Sequence, residues 1–400
     1  REDIAIATKE FQLDFRSEVE PIYRNLLALL LEENRPEQRQ KALEIFDLLQ
    51  LSQLESFFGD ICLEVKSTIS PQELLAKTNS VAITSIILKD KTYLLLQLPD
   101  GSLSRYPIEI KAEQLNQTIE QWRWDLENSW NNQYRGKSQV LYELLIRPLE
   151  STLAVYKPKT LVFINDGILR NVPMAALHDG RQFLIEKYAV ANSFGLKFTL
   201  ELKSPDLEAL SFGLTVAKAR FKAPLPNAAP ETEAVQQMFG GSRFLNEKFT
   251  AKNFEEQIEK RDYSIIHLAT HGKFAGTLEG TYIQAFDRSI SLLEIEHLLD
   301  ERQSPIKLLT FSACQTAGGN DRAVLGLAGV SVRSGVRTAL GTLWSVSDAK
   351  IAELIEDFYR FWHSGLSLSE ALRQAQLKQI SLDNSHPGNW SASILIGNWH

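Results

Sequence analysis

The sequence predicts a mixed α/β chain built on a mostly parallel sheet flanked by helices, with a helical region ahead of it. Three observations carry that prediction. From Leu210 onward, apolar strand-like runs alternate with helical stretches, the order that βαβ units produce. Before them, Val81 to Ile110 reads as a small antiparallel β-meander. Residues 4 to about 75 carry apolar residues at helical spacing.

In the helical region, Leu26, Leu27, Leu30 and Leu31 recur on one face, as do Leu43, Phe46, Leu49, Leu54 and the pair Phe57-Phe58. No 34-residue repeat is visible, although the last unit of a degenerate helical-repeat array with its cap would read this way. The meander comprises Ile83–Leu88, Tyr93–Leu98 and Leu103–Ile110, turning at Lys89-Asp90-Lys91 and Pro99-Asp100-Gly101. Helices are expected at 111–133 and 138–154. The first carries Trp122, Trp124 and Trp130, read as packing residues before a binding surface. Leu161–Ile164 is a short buried strand ending at Asn165-Asp166-Gly167. Leu210–Val216, Ser264–Ala269, Lys307–Phe311 and Thr338–Leu343 follow as strands. A helix that Asp348 begins, running to Trp362, carries Ile351, Leu354, Ile355 and Phe358 on one face. A helix at 367–381 and a strand at Ser391–Ile396 complete the chain. These changes of pattern divide it into a helical region at 1–78, a helical and β region at 79–209, and an α/β domain at 210–400.

Composition narrows the function. Four hundred residues at 44% hydrophobic bury a large core. The net charge is −7 and no Lys/Arg cluster stands out, which excludes direct nucleic-acid binding by phosphate neutralisation. Two cysteines, Cys62 and Cys314, make no disulfide framework and point to a reducing cytoplasm. The longest apolar run, Leu26–Leu31, is too short for a bilayer, and no apolar core follows the charged Arg1-Glu2-Asp3 to make a signal peptide. The chain starts on Arg and not Met, so a fragment or processed product is expected.

Two strand ends hold the candidate chemistry. One is Ser264-Ile-Ile-His-Leu-Ala-Thr-His271-Gly272, in which a glycine lets the backbone turn just past the strand. The other is Leu308-Leu-Thr-Phe-Ser-Ala-Cys314-Gln-Thr-Ala-Gly-Gly319. If the strands are parallel neighbours, His271 and Cys314 emerge side by side. A thiolate is the nucleophile, imidazole is its usual base, and the same histidine protonates the leaving amine. The backbone N–H groups of Gly272 and Cys314 are candidates for an oxyanion hole. A strand-end cysteine is also a common small buried hydrophobe, and it is the pairing with His271 that favours catalysis. Cys62, in an amphipathic helical stretch, reads as structural. His267 and His271 have a zinc-ligand spacing for a helix, but the stretch reads as strand and lacks the metalloprotease glutamate. A buried, hydrogen-bonded His267 that supports the site is the preferred reading, with no metal and no cofactor.

These residues resemble the CHAT domains, relatives of caspases and separases. The resemblance starts near residue 161 and runs through Asn165-Asp-Gly-Ile-Leu-Arg-Asn-Val-Pro-Met-Ala-Ala-Leu177 and Leu225-Pro-Asn-Ala-Ala-Pro-Glu-Thr-Glu233 in outline. It continues with Ile266-His-Leu-Ala-Thr-His-Gly272, Phe311-Ser-Ala-Cys-Gln-Thr316 and Ala339-Leu-Gly-Thr-Leu-Trp-Ser-Val-Ser-Asp348. It implies a caspase-like sheet flanked by helices, His271 as base, Cys314 as nucleophile, and a degenerate caspase-like half before the catalytic one. It also implies N-terminal tetratricopeptide helices and a cytoplasmic cysteine endopeptidase cutting a protein partner under control of its N-terminal region or an activating protein. Bacterial members are linked to programmed cell death and antiviral defence. Caspases carry Gln-Ala-Cys-Arg-Gly around the nucleophile where this chain has Ser-Ala-Cys-Gln-Thr. Ser312 stands where metacaspases place an aspartate, and Ser345 where separases carry an acid. An acidic specificity pocket then falls to Asp348. Activation is expected to be conformational, with Lys273–Glu279 and Ala317–Arg322 as the moving parts. Trp344 and Trp390 read as packing residues before walls of the cleft. An alternative from a different class is a scaffold or signalling module that keeps the fold without turnover.

Overall fold

The structure, a computed structural model, describes residues 15–58, 69–128, 132–198, 207–217, 223–275, 277, 280–300, 302, 304–316, 324–326, 329, 335–383 and 386–400, with the backbone alone at 198, 313–316 and 383. Cys62, Trp130 and 317–322 lie outside the described residues. Helices α1 (Glu20–Glu32) and α2 (Pro36–Phe58) form a hairpin. Its apolar faces meet through Leu27, Leu30 and Leu31 on one side and Ala42, Leu43, Phe46 and Leu49 on the other. Helix α3 (Pro71–Thr78) starts where the Ser70 hydroxyl accepts from the Glu73 N–H, with proline in its first turn, and ends on Asn79 at φ 47°.

The meander follows as β1 (Ser80–Ile87), β2 (Thr92–Gln97) and β3 (Leu103–Ile108), paired antiparallel in sequence. Helices α4 (Ala112–Glu127), α5 (Tyr134–Leu145) and α6 (Glu150–Tyr156) come next. The single helix expected at 138–154 is two, split by a 3₁₀ turn at Arg147–Leu149, because Pro148 lacks the N–H that would continue the first. Strands β4 (Thr160–Ile164) and β5 (Ala189–Asn192) end this half. The second half runs β6 (Ala209–Gly213), α7 (Ala228–Phe239), β7 (Gly241–Leu245), α8 (Ala251–Lys260), β8 (Ile265–Phe274), β9 (Tyr282–Gln284), β10 (Ser289–Ser291), α9 (Leu292–Asp300), β11 (Leu308–Thr316), β12 (Thr338–Thr342), α10 (Asp348–His363), α11 (Leu368–Asp383) and β13 (Ser393–Gly397).

All thirteen strands among the described residues join one sheet, in the order β10-β9-β8-β11-β12-β13-β5-β4-β1-β2-β3, with β6 beside β8 and β7 outside β6. One arrangement occurs twice. Strands β5, β4 and β1 are parallel neighbours, and an antiparallel ribbon, β2–β3, extends from β1. Strands β12, β11 and β8 are parallel neighbours, and an antiparallel ribbon, β9–β10, extends from β8. Strand β13, antiparallel to β12 and parallel to β5, joins the two. The central strands β1, β4, β6 and β12 are buried along their whole length, as expected for a sheet covered on both faces. The core around β6 is aromatic: Phe212 packs against Phe244, Phe249 and Phe254 with ring centroids 5.2, 4.9 and 5.3 Å away. Trp122, Trp344 and Trp390 are buried, and Trp124 is exposed. No described helix is long and apolar enough to cross a membrane.

Candidate active site

Strand β8 corrects the sequence reading locally. It does not stop at Ala269 with His271 beyond its end; it runs through His271 and Gly272 to Phe274. Its neighbours change along the way. On one side β6 pairs with it as far as Gly213 opposite Ala269, and β9 takes over with Ile283 opposite Gly272. On the other side the β11 register jumps, from Ser312 opposite Ala269 to Cys314 opposite Gly272. Three steps along β8 therefore match two along β11. Such a bulge re-aims side chains, and bulges concentrate beside active sites. Thr270, inside the irregular stretch, donates its hydroxyl to the Gln284 carbonyl at 2.5 Å and ties it to β9. Thus His271 and the Cys314 backbone meet at one break in the ladder, with Gly272 directly opposite the cysteine.

The His271 ring is half-buried, and its Nε2 lies 2.8 Å from the Ala223 carbonyl. A carbonyl oxygen only accepts, so Nε2 carries the proton and the neutral ring holds its lone pair on Nδ1. That is the tautomer a base needs if Nδ1 is to serve the thiol. Burial lowers the imidazole pKa below its ordinary value, while the Ala223 carbonyl and the charge of Asp348 pull the other way.

Below His271 on the same strand, His267 is fully buried. Its Nε2 lies 3.0 Å from Glu231 Oε1 of α7, close enough for an ion pair but not aligned for a hydrogen bond. Its Nδ1 lies 3.3 Å from the Tyr359 hydroxyl of α10, which is in turn 2.7 Å from the Thr310 hydroxyl of β11. His267 thus serves as a buried polar tie between β8, α7, α10 and β11.

The three residues considered for specificity differ in their surroundings. Ser312 is closed inside the sheet, its hydroxyl without a partner among the described residues. Ser345 is exposed. Asp348 opens α10, and its Oδ2 accepts from both the Asn227 backbone N–H at 2.9 Å and the Asn227 Nδ2 at 2.7 Å. Sequence reasoning gave no role to Ala223, Asn227 or Glu231. Asn227 and Glu231 lie within the quoted 225–233 motif, and the Pro224-Leu225-Pro226 run ahead of a helix was the available signal that this loop is held rigidly.

No curated protein matches the sequence. Among solved structures, the Saccharomyces cerevisiae separase–securin complex is similar over 90% of this chain at 10% identity, with a TM-score of 0.57. This chain spans 34% of that separase chain. The pro- and mature domains of gingipain R from Porphyromonas gingivalis are also similar, at 10% identity and a TM-score of 0.45. The family model described as the CHAT domain matches residues 135–398. The fold is caspase-like, and the chain belongs to the CHAT-domain family.

Proposed function

We propose that this chain is a cysteine endopeptidase that cuts a protein partner, with Cys314 as nucleophile and His271 as base. The observation that carries the reading is the shared irregularity of β8 and β11, which brings the cysteine opposite the glycine that follows the histidine. His271 Nδ1 takes the thiol proton, and the thiolate adds to the scissile carbonyl. The Gly272 and Cys314 N–H groups receive the oxyanion. Collapse breaks the C–N bond, the amine leaves with the proton from His271, and a thioester remains. Water, deprotonated by the same imidazole, hydrolyses the thioester and restores the thiol. No cofactor enters these steps.

Control by the N-terminal helices or a protein partner is part of the proposal. Two features support it. The Phe58 ring of α2 fills the space beside Gly329, in the stretch beyond Cys314, so closely that a Cβ there would lie 1.9 Å from it. The separase of similar fold is held in a complex with securin. The test is cleavage of a peptide library by the full 400-residue chain. Cys314→Ala and His271→Ala each abolish turnover while circular dichroism stays unchanged. Full activity in either variant removes the dyad. A chain whose cysteine reacts with a peptidyl electrophile, yet which cleaves nothing with or without candidate partners, is the scaffold of the alternative reading.

A further inference from the structure

Resting on the peptidase reading, we propose that Asp348 is a positioning residue for the base: it tethers the 223–227 loop, whose Ala223 carbonyl holds the His271 ring, to the start of α10. Asn227 occupies the N-cap of α7, where an asparagine side chain ordinarily accepts from the first turn, yet it makes no capping bond. Its backbone N–H and its Nδ2 both donate to Asp348 Oδ2 instead. Asp348 is likewise not the cap of its own helix, because the Ser347 hydroxyl takes the Lys350 N–H. Two helix N-termini therefore converge on one carboxylate, a favourable place for its charge.

From Asn227 the tether reaches the base through a short, stiff path. Pro224 and Pro226 fix two of the backbone torsions between Asn227 and Ala223. Between them Leu225 is buried with Ala228 and Ala269, and its N–H donates to the Thr215 carbonyl at 3.1 Å. A shift at Asn227 is then passed to the Ala223 carbonyl and to the ring it holds. The carboxylate also acts through its charge, which favours the imidazolium that must protonate the leaving amine. Among the described residues, the titratable groups around His271 are Asp348 from α10, Lys273 on β8, and the His267, Glu231 and Tyr359 set beneath it, with the Cys314 backbone paired alongside on β11.

A carboxylate reading a basic side chain before the scissile bond makes different demands, so the two roles separate in one experiment. The full chain is alkylated with iodoacetamide across pH, and the rate at Cys314 is read by peptide mass, with Cys62 as the internal comparison. N227D sets carboxylate against carboxylate and is expected to slow Cys314 alkylation at pH 6 about tenfold, the effect of one pKa unit on thiolate population. D348N keeps an acceptor oxygen but loses the charge, and slows it less. The exchange N227D/D348N puts a donor back opposite an acceptor and recovers most of the N227D loss. Peptide turnover follows, with kcat falling and KM holding. A D348N or N227D chain that alkylates like wild type overturns the proposal. So does a rise in KM for basic peptides with kcat retained, which would make Asp348 a specificity residue. If wild-type Cys314 titrates as an ordinary thiol and no peptide is cut, the dyad itself fails, and this inference with it.

Discussion

At the scale of the residue, the imidazole of His271 is governed by opposing effects. Burial disfavours its charged form, and the Ala223 carbonyl and Asp348 favour it. Burial wins, so the folded ring gives up its proton more readily than an unfolded one. The unfolded chain binds more protons between the depressed value and the ordinary 6.5 or so, and His271 therefore costs stability as pH falls through that window. The same shift keeps the base neutral near pH 7. The acid limb of kcat/KM is expected below about 6.5, with activity retained at pH 6. A limb at pH 7 or above contradicts the burial argument. His271, Gly272 and Cys314 were legible in the sequence because each sits near the end of an apolar run. Ala223, Asn227 and Glu231 were not, because a carbonyl, an amide and a carboxylate acquire these roles only when α7 and α10 pack against β8.

At the scale of the element, α7 is joined to β8 at two levels. The loop before it holds His271 at the rim through Ala223, and Glu231 in its first turn reaches His267 in the core. Helix α10 reaches the same two levels, through Asp348 on Asn227 of that loop and Tyr359 on His267 of the strand. Replacing Glu231 by Ala leaves a buried imidazole nitrogen without its neighbour, at a cost of about 2 kcal/mol. Thermal melts should show a fall in Tm on the order of 4 °C. Because Tyr359 shares His267, the effects of Glu231→Ala and Tyr359→Phe should not add. Additive losses would mean that the two contacts are independent. The elements that the sequence announced are those with long apolar or periodic runs, such as β4, β12 and α10. Strands β5, β7, β9 and β10 went unseen: two have only three residues, and β7, as Gly-Ser-Arg-Phe-Leu, carries no alternation and is half-buried. Strand β8 was read too short because Thr-His-Gly-Lys resembles a turn, and only pairing to β9 and β11 keeps it extended.

At the scale of the whole molecule, the repeated arrangement puts Ile87 and Asp166, at the ends of β1 and β4, in places matching the ends of β8 and β11. Arg24 of α1 donates Nη1 to Asp166 Oδ2 and Nη2 to Asp166 Oδ1, at 2.8 and 3.2 Å, and Nη1 also to the Ile87 carbonyl. Burial alone would raise the Asp166 pKa, but Arg24 outweighs it and holds the carboxyl below its usual range. Its contribution to stability is therefore full above about pH 4 and is lost as pH falls through the lower folded value. Arg24→Ala strands a buried carboxylate, costs about 3 kcal/mol, and should move the acid-unfolding midpoint upward in a circular-dichroism titration. An unmoved midpoint would show that α1 is not fastened there. The sequence could not reveal this clamp, since Arg24 and Asp166 are 142 residues apart. All of this frames one pair of residues, and the most direct measurement is mass-resolved labelling by a peptidyl thiol-directed electrophile. Modification is expected at Cys314, lost in Cys314→Ala and strongly slowed in His271→Ala; labelling at Cys62 alone, or an equal rate without His271, would contradict the dyad.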